Sequence, residues 1–199
     1  MEELNYEGFH GTDRECARKI VKEEKFIPGE DVDNEDFLGK GVYFFKEEEH
    51  AVLWNLKKAR DVGNRNLKYK DYILEYAILK ADILVNKRNL LDLNAPKDIA
   101  KYEKICKKFQ KEFDEDEEYK EALHKDRAII NYFYKRHYMD GIYVIRKFEG
   151  QKTKTSNINV GDYIQRDVLC IKNSEIIKNI RIIKDIKKDL YEDIKYVSI

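Results

Sequence analysis

Only two prolines and three cysteines occur among the 199 residues of the chain. Its length and cysteine number exclude a disulfide-stapled miniprotein. Cys16, Cys106 and Cys170 lie far apart, are odd in number and lack the paired spacing that holds zinc. They read as reduced thiols in a cytoplasmic protein without a metal. A surplus of one charge sign is missing as well, since 39 Lys+Arg balance 39 Asp+Glu. A protein held to nucleic acid by bulk charge would carry uncompensated positive charge, so that class is disfavoured, while local basic patches stay open. No basic start followed by an apolar run and a cleavage site is found, and no stretch approaches the length that spans a bilayer. The expectation is a soluble, intracellular protein with no membrane partner.

What is present is core-forming material. The chain is 42% hydrophobic and 12% aromatic against 39% charged, which is not the composition of a disordered segment. A domain of this size buries roughly 70% of the surface its unfolded chain exposes. Five of the nine glycines, Gly8, Gly11, Gly29, Gly39 and Gly41, fall in the first 41 residues. Close backbone approaches, and hence a ligand, are expected at that end.

NYEGFHGT reads as a short strand ending at a turn. Thr12 or Asp13 can then cap a helix that carries Ala17, Ile20 and Val21 on one face and stops near Lys25. A loop-like segment follows, and GVYFF reads as the next strand. EEEHAVLWNLKKARDV opens with acids and closes with bases, which complements a helix dipole. DYILEYAIL and DILV predict strands. Asn94 and Pro96 start a helix on which Ile99, Tyr102, Cys106, Phe109 and Phe113 recur at helical spacing. The acidic run Asp114 to Glu118 reads as a solvated link, and a second helix is predicted around Tyr119 to Arg136. GIYVIR, DVLCIK and IIKNIRIIK predict strands, with the polar segment KFEGQKTKTSNINVGDY as a loop after the first. Strands at both ends, helices between them, and no repeat or linker predict one α+β domain over residues 1–199.

Two constellations rise above composition, FHGT at Phe9 to Thr12 and FLGKGVYFF at Phe37 to Phe45. In this order, and with the C-terminal stretch QRDVLCIKN, they resemble the NAD-binding half of the ADP-ribosyltransferase fold, as in poly(ADP-ribose) polymerase catalytic domains and diphtheria-like toxins. The helical middle is not accounted for. The resemblance implies an ADP-ribosyltransferase-like fold of two packed antiparallel sheets, with an N-terminal NAD-binding half and a helical insertion. It implies NAD as co-substrate and transfer of ADP-ribose to a macromolecular acceptor, protein or nucleic acid, with release of nicotinamide. The compact form resembles bacterial toxins of toxin–antitoxin or phage-defence systems, which would bring an antitoxin partner.

Cleaving the bond between nicotinamide and its ribose passes through an oxocarbenium-like state, so a site must hold the leaving ring, fix the riboses and place negative charge near the developing cation. By resemblance, His10 contacts a ribose hydroxyl, the backbone of Gly11 clamps the carboxamide and Thr12 assists. The competing explanation is a strand-end histidine beside a turn glycine, with Thr12 a helix cap. Tyr43 would stack on the nicotinamide, with Gly39 and Gly41 bringing the loop close to it. Trp54 would close the other side of the ring, although a core role on an amphipathic helix explains it nearly as well. An ungapped count puts Ala51 where relatives often carry a serine.

Where relatives carry a glutamate, this chain offers Gln165, Arg166 and Asp167. Asp167 supplies the charge one methylene short, and Gln165 would point to the same side of an extended strand. The segment Phe148 to Tyr163 would be the acceptor-recognition loop, with Lys152, Lys154 and Arg166 beside it. Two other functions stay open. One is an RNA 2′-phosphotransferase-like enzyme, and the other is a non-catalytic module that binds NAD or ADP-ribose.

Overall fold

The computed structural model describes residues 2–26, 37–63, 76–117, 119, 125–152 and 163–185. They form seven strands: β1 (Glu3–Asp13), β2 (Val42–Phe45), β3 (Tyr76–Asn86), β4 (Leu90–Asp92), β5 (Val144–Lys152), β6 (Tyr163–Ile171) and β7 (Ile177–Asp185). Four α-helices accompany them: α1 (Arg14–Glu23), α2 (Glu48–Gly63), α3 (Pro96–Glu115) and α4 (Lys125–Lys135). The class is α+β.

Local chemistry explains several boundaries. Asp13, rather than Thr12, caps α1: its carboxylate accepts from the Cys16 amide at 2.7 Å, satisfying one of the amides that a helix start leaves without a partner. The helix ends at Glu24, whose φ of 49° is left-handed. Pro96 stands in the first turn of α3. Asn94 does not cap that helix but accepts from the Phe148 amide at 2.7 Å, tying the helix start to β5. The expected acidic link is shorter than predicted, because Asp114 and Glu115 complete α3 and Asp116 meets Arg136 at 3.0 Å.

The strand order is β4-β5-β6-β2-β1-β3-β7. Every neighbouring pair is antiparallel except β4 with β5, which run parallel. In place of the two antiparallel sheets expected, the strands make one continuous mixed sheet. Its parallel pair follows from the helical middle, because α3 and α4 supply the long crossover that parallel neighbours need.

The join between the two halves of the sheet is narrow. β1 and β3 register over eleven Cα pairs, but β1 and β2 register at one, Phe9↔Phe45. The halves β4-β5-β6-β2 and β1-β3-β7 are each well zipped and meet at that single pair.

The two faces carry separate cores. One gathers Val42, Phe44, Leu79 and Leu169 with Ala17 of α1 and Phe26. The opposite face has two patches. Phe45, Ile78 and Val168 pack on Ala51, Val52 and Leu56 of α2, and Leu91, Ile145 and Cys170 pack on Phe113 of α3 and Phe133 of α4. Each fully buried aliphatic or aromatic side chain contributes roughly 1.5–3 kcal/mol. β3 is one strand rather than two and is buried on both faces, with Ala77, Ile78 and Leu79 all at 0% exposure. Both ends of the expected acceptor loop are strand, since β5 and β6 pair from Val144↔Ile171 out to Lys152↔Tyr163. Residues 153–162, with Lys154, lie outside the described residues, as do 71–75 of DYILEYAIL.

Candidate functional site at the narrow join of the sheet

His10 lies just past the Phe9↔Phe45 pair, where the β1–β2 register gives out. Its Nδ1 stands 2.7 Å from the Tyr43 carbonyl oxygen. A carbonyl can only accept, so Nδ1 carries the proton and Nε2 is left as an acceptor. The ring sits edge-on to Phe26 at 5.2 Å and is tilted against Phe44 at 5.6 Å. Burial among these rings pulls its pKa down to about 4, with the Tyr43 carbonyl opposing and Lys58 adding to the effect. His10 is therefore neutral at physiological pH.

Tyr43 is pinned at its hydroxyl, which donates to the Gly39 carbonyl at 2.7 Å and accepts from the Leu38 amide at 2.9 Å. Gly39 allows this turn because its φ is +75°, in the left-handed region. The close approaches at Gly39 and Gly41 are to protein. A Cβ on Gly39 would run into Asn131, and one on Gly41 would meet Cys170 Sγ at 2.6 Å and the Ile171 carbonyl at 2.9 Å. Lys172 anchors the same turn, with Nζ 2.7 Å from the Leu38 oxygen and 2.6 Å from that of Lys40.

The pleat divides the sequence-predicted residues between the two faces. Tyr43 opposes Cys170 and packs, with Trp54, on the Phe45–Val168 patch. Gly11 belongs to that side, opposite Ile78. A Cβ there would lie 2.6 Å from both the Ala51 carbonyl oxygen and Asn55 Oδ1, so the strand and α2 touch at this glycine. Trp54 is tilted against Phe45 at 5.9 Å, with Lys58 5.3 Å from its ring. His10 and Thr12 oppose Leu79 and Ala77 on the other face.

Asp167 also falls on the other face, alternating with Leu169, and is not brought together with Tyr43. Cys170 lies three positions on from Asp167, and an odd step along a strand changes the face. Its carboxylate is gripped by Arg146, with Nε to Oδ1 at 2.9 Å and Nη2 to Oδ2 at 2.7 Å. Arg146 Nη1 reaches Asp92 at 3.2 Å, and its guanidinium lies 5.8 Å from the Tyr6 ring and 5.5 Å from that of Phe148. The hydrogen bonds to Asp167 hold the Arg146 pKa above its usual value. Gln165 shares Asp167's side, as expected, and is exposed. Arg166, two positions before Val168, turns to Tyr43's face and is 5% exposed.

Two residues the sequence reading passed over matter here. Asn55, 1% exposed, donates from Nδ2 to the Ala77 carbonyl at 3.2 Å, and its Oδ1 has no hydrogen-bond partner among the described residues. A polar residue one turn after Ala51, amid the apolar positions Val52 and Leu56, was the available signal. Arg146, the last residue of GIYVIR, carried none.

No known family model matches the chain, and no solved structure matches it. Over 85 residues, 43% of the chain, it is 38% identical to the uncharacterized protein MJ0359 of Methanocaldococcus jannaschii. The match covers 36% of that protein, so the chain spans about a third of this relative's length. Among the described residues no helix is long and apolar enough to cross a membrane.

Proposed function

We propose that the chain is an NAD-dependent ADP-ribosyltransferase that passes ADP-ribose to a macromolecular acceptor and releases nicotinamide. The observation that carries this reading is the 2.7 Å contact from His10 Nδ1 to the Tyr43 carbonyl. It ties the FHGT end of β1 to the VYFF strand where the β1–β2 register gives out. A flat amide needs such a place, with strand edges that lack a neighbour and a glycine that lets the backbone come near. NAD itself brings a cationic pyridinium that departs readily once the ribose can bear positive charge.

The residues present fit the dinucleotide in part. Neutral His10 offers Nε2 to a ribose hydroxyl as an acceptor, a role that an imidazolium could not fill. Tyr43, fixed by two hydrogen bonds, offers a ring that needs no reordering, with Gly11 and Trp54 on the same face. Asp167 fits less well as the charge near the developing cation, because Arg146 already occupies both of its oxygens. That pairing favours a second reading, a non-catalytic module that binds NAD or ADP-ribose.

Incubation with NAD labelled separately in its nicotinamide and adenylate parts tests both. Free nicotinamide with adenylate label on a macromolecule supports the transferase. Calorimetric heat of binding with no nicotinamide released supports the module. No heat and no release would remove both.

A further inference from the structure

A cavity of about 560 Å³ opens beside the turn that precedes β2, on the side of Gly41. Its walls bring together Lys40, Lys135 and Lys172. In a chain whose charges sum to zero, three cations around one hollow are a local asymmetry that composition conceals. Tyr119 and Tyr134 supply two aromatic walls. The Tyr134 hydroxyl donates to the Ile142 carbonyl at 2.7 Å, which fixes its ring. Lys172 Nζ lies 5.0 Å from the centre of that ring, and Lys135 Nζ lies 5.6 Å from that of Tyr119. Asn131 takes the Lys40 amide on Oδ1 at 2.7 Å, and its Nδ2 carries two further donors.

We propose that this cavity binds a nucleoside phosphate, with the base against the tyrosines and the phosphate at Lys40 and Lys135. A carboxylate ligand would find the lysines but no use for the rings. A neutral ring would find the tyrosines but no use for three cations. A nucleoside phosphate uses both, by base stacking and by charge. The volume lies within the range of small-molecule sites. Lys172 is the structural member, since it holds the 38–40 turn through two carbonyls, while Lys40 and Lys135 are exposed. The helical middle of the chain, absent from the NAD-site resemblance, supplies Asn131, Tyr134 and Lys135. The cavity shares Gly41 with the stretch that carries the NAD resemblance, but most of its walls lie outside that stretch.

The experiment pairs two probes that lack nicotinamide, so that failure here is read apart from failure of the NAD reading. A fluorescein-labelled single-stranded decanucleotide is followed by anisotropy, and adenosine monophosphate by calorimetry. Binding of either that the cavity variant below weakens supports the site, and the responding probe tells a nucleotide within a strand from a free one. Lys40→Ala/Lys135→Ala, checked by thermal melting, is expected to weaken the responding probe at least tenfold, and to lower the salt dependence of strand binding by about two phosphate contacts. The exposed pair Lys101→Ala/Lys104→Ala on α3 should change neither. Ribose 5-phosphate, which lacks the base, should bind at least tenfold more weakly than adenosine monophosphate. The proposal is overturned if neither probe binds, if the control pair weakens binding as much as the cavity pair, or if ribose 5-phosphate or poly-glutamate competes as well as the nucleotide.

Discussion

Around the join of β1 and β2, the two faces of the sheet are built on different principles. On Tyr43's face, shape dominates: Gly11 lets α2 touch the strand, and Tyr43 and Trp54 lie on an apolar patch. On His10's face, the polar groups are clasped. His10 is held by a carbonyl and Asp167 by a forked guanidinium. Residues adjacent in a motif, such as His10 and Gly11, therefore serve opposite sides, and a site drawn from sequence order alone joins groups that the sheet keeps apart. One contact crosses the divide, because His10 bonds the backbone of Tyr43 rather than its ring.

The largest expected effect falls on the clasped face. Arg146→Ala leaves Asp167, whose side chain is 11% exposed, without its partner, and breaking such a pair costs about 3–5 kcal/mol. Urea unfolding of Arg146→Ala, Asp167→Ala and the double variant measures it, and the double variant should recover much of the loss. Asp167→Ala alone is consequently a poor test of catalysis, since it disturbs the clasp, whereas Asp167→Asn preserves the shape. If Arg146→Ala proves as stable as the parent, the contrast between the faces does not hold.

The same face should announce itself in acid. The folded pKa of His10, about 4, lies below its ordinary value of 6.5. Between those values the unfolded chain holds a proton that the native protein lacks. Stability from this residue is complete above pH 6.5 and falls as the pH drops toward 4, by on the order of 3 kcal/mol. The informative quantity is the difference between the parent and His10→Gln, which keeps a donor for the Tyr43 carbonyl and cannot titrate there. A shallower loss of urea midpoint in His10→Gln between pH 7 and 4 is expected. Parallel curves would show that the ring is not the half-buried, desolvated base described.

On the packed face, Gly11→Ala should act through steric conflict alone. The new methyl meets the Ala51 carbonyl oxygen and Asn55 Oδ1 at 2.6 Å, and helix backbone cannot yield as a side-chain tip can. Such overpacking costs about 1–3 kcal/mol. The loss should be unchanged between pH 7 and 5, in contrast to that seen at His10.

Much of the fold was readable because its signals are local. Asp13 capping α1 and the Tyr102, Cys106, Phe109, Phe113 stripe of α3 each sit within a few residues of what they act on. The sequence predicts two strands where β3 runs unbroken, because Lys80 and Asp82 interrupt its apolar run. Those charges are satisfied across the sheet, by Glu7 at 2.6 Å and Asn179 at 2.6 Å, partners distant in sequence. The length of β5 was hidden for the same reason, since FEGQK becomes strand only by pairing with β6. At the site, the neighbourhood of FHGT and VYFF was legible as motif, but the face of Asp167 was not. It depends on the register of β2 against β6, and its clasp joins residues 21 and 54 positions apart.

The smallest effect is the most discriminating. Tyr43→Phe keeps the ring and removes only the hydroxyl that bonds Gly39 and Leu38, leaving the Leu38 amide without that acceptor, at a cost of about 1 kcal/mol. If Tyr43 serves as a fixed stacking surface, the variant should still bind NAD, more weakly by the looseness of a turn no longer tied from below, while stability at any pH shifts little. If the ring has no ligand role, Tyr43→Leu, which removes the aromatic face, should also bind NAD as the parent does, and the packed face would then be core alone. An unchanged affinity in Tyr43→Leu together with intact nicotinamide release would move the binding role off Tyr43 and onto the clasped face, inverting the contrast between the two sides.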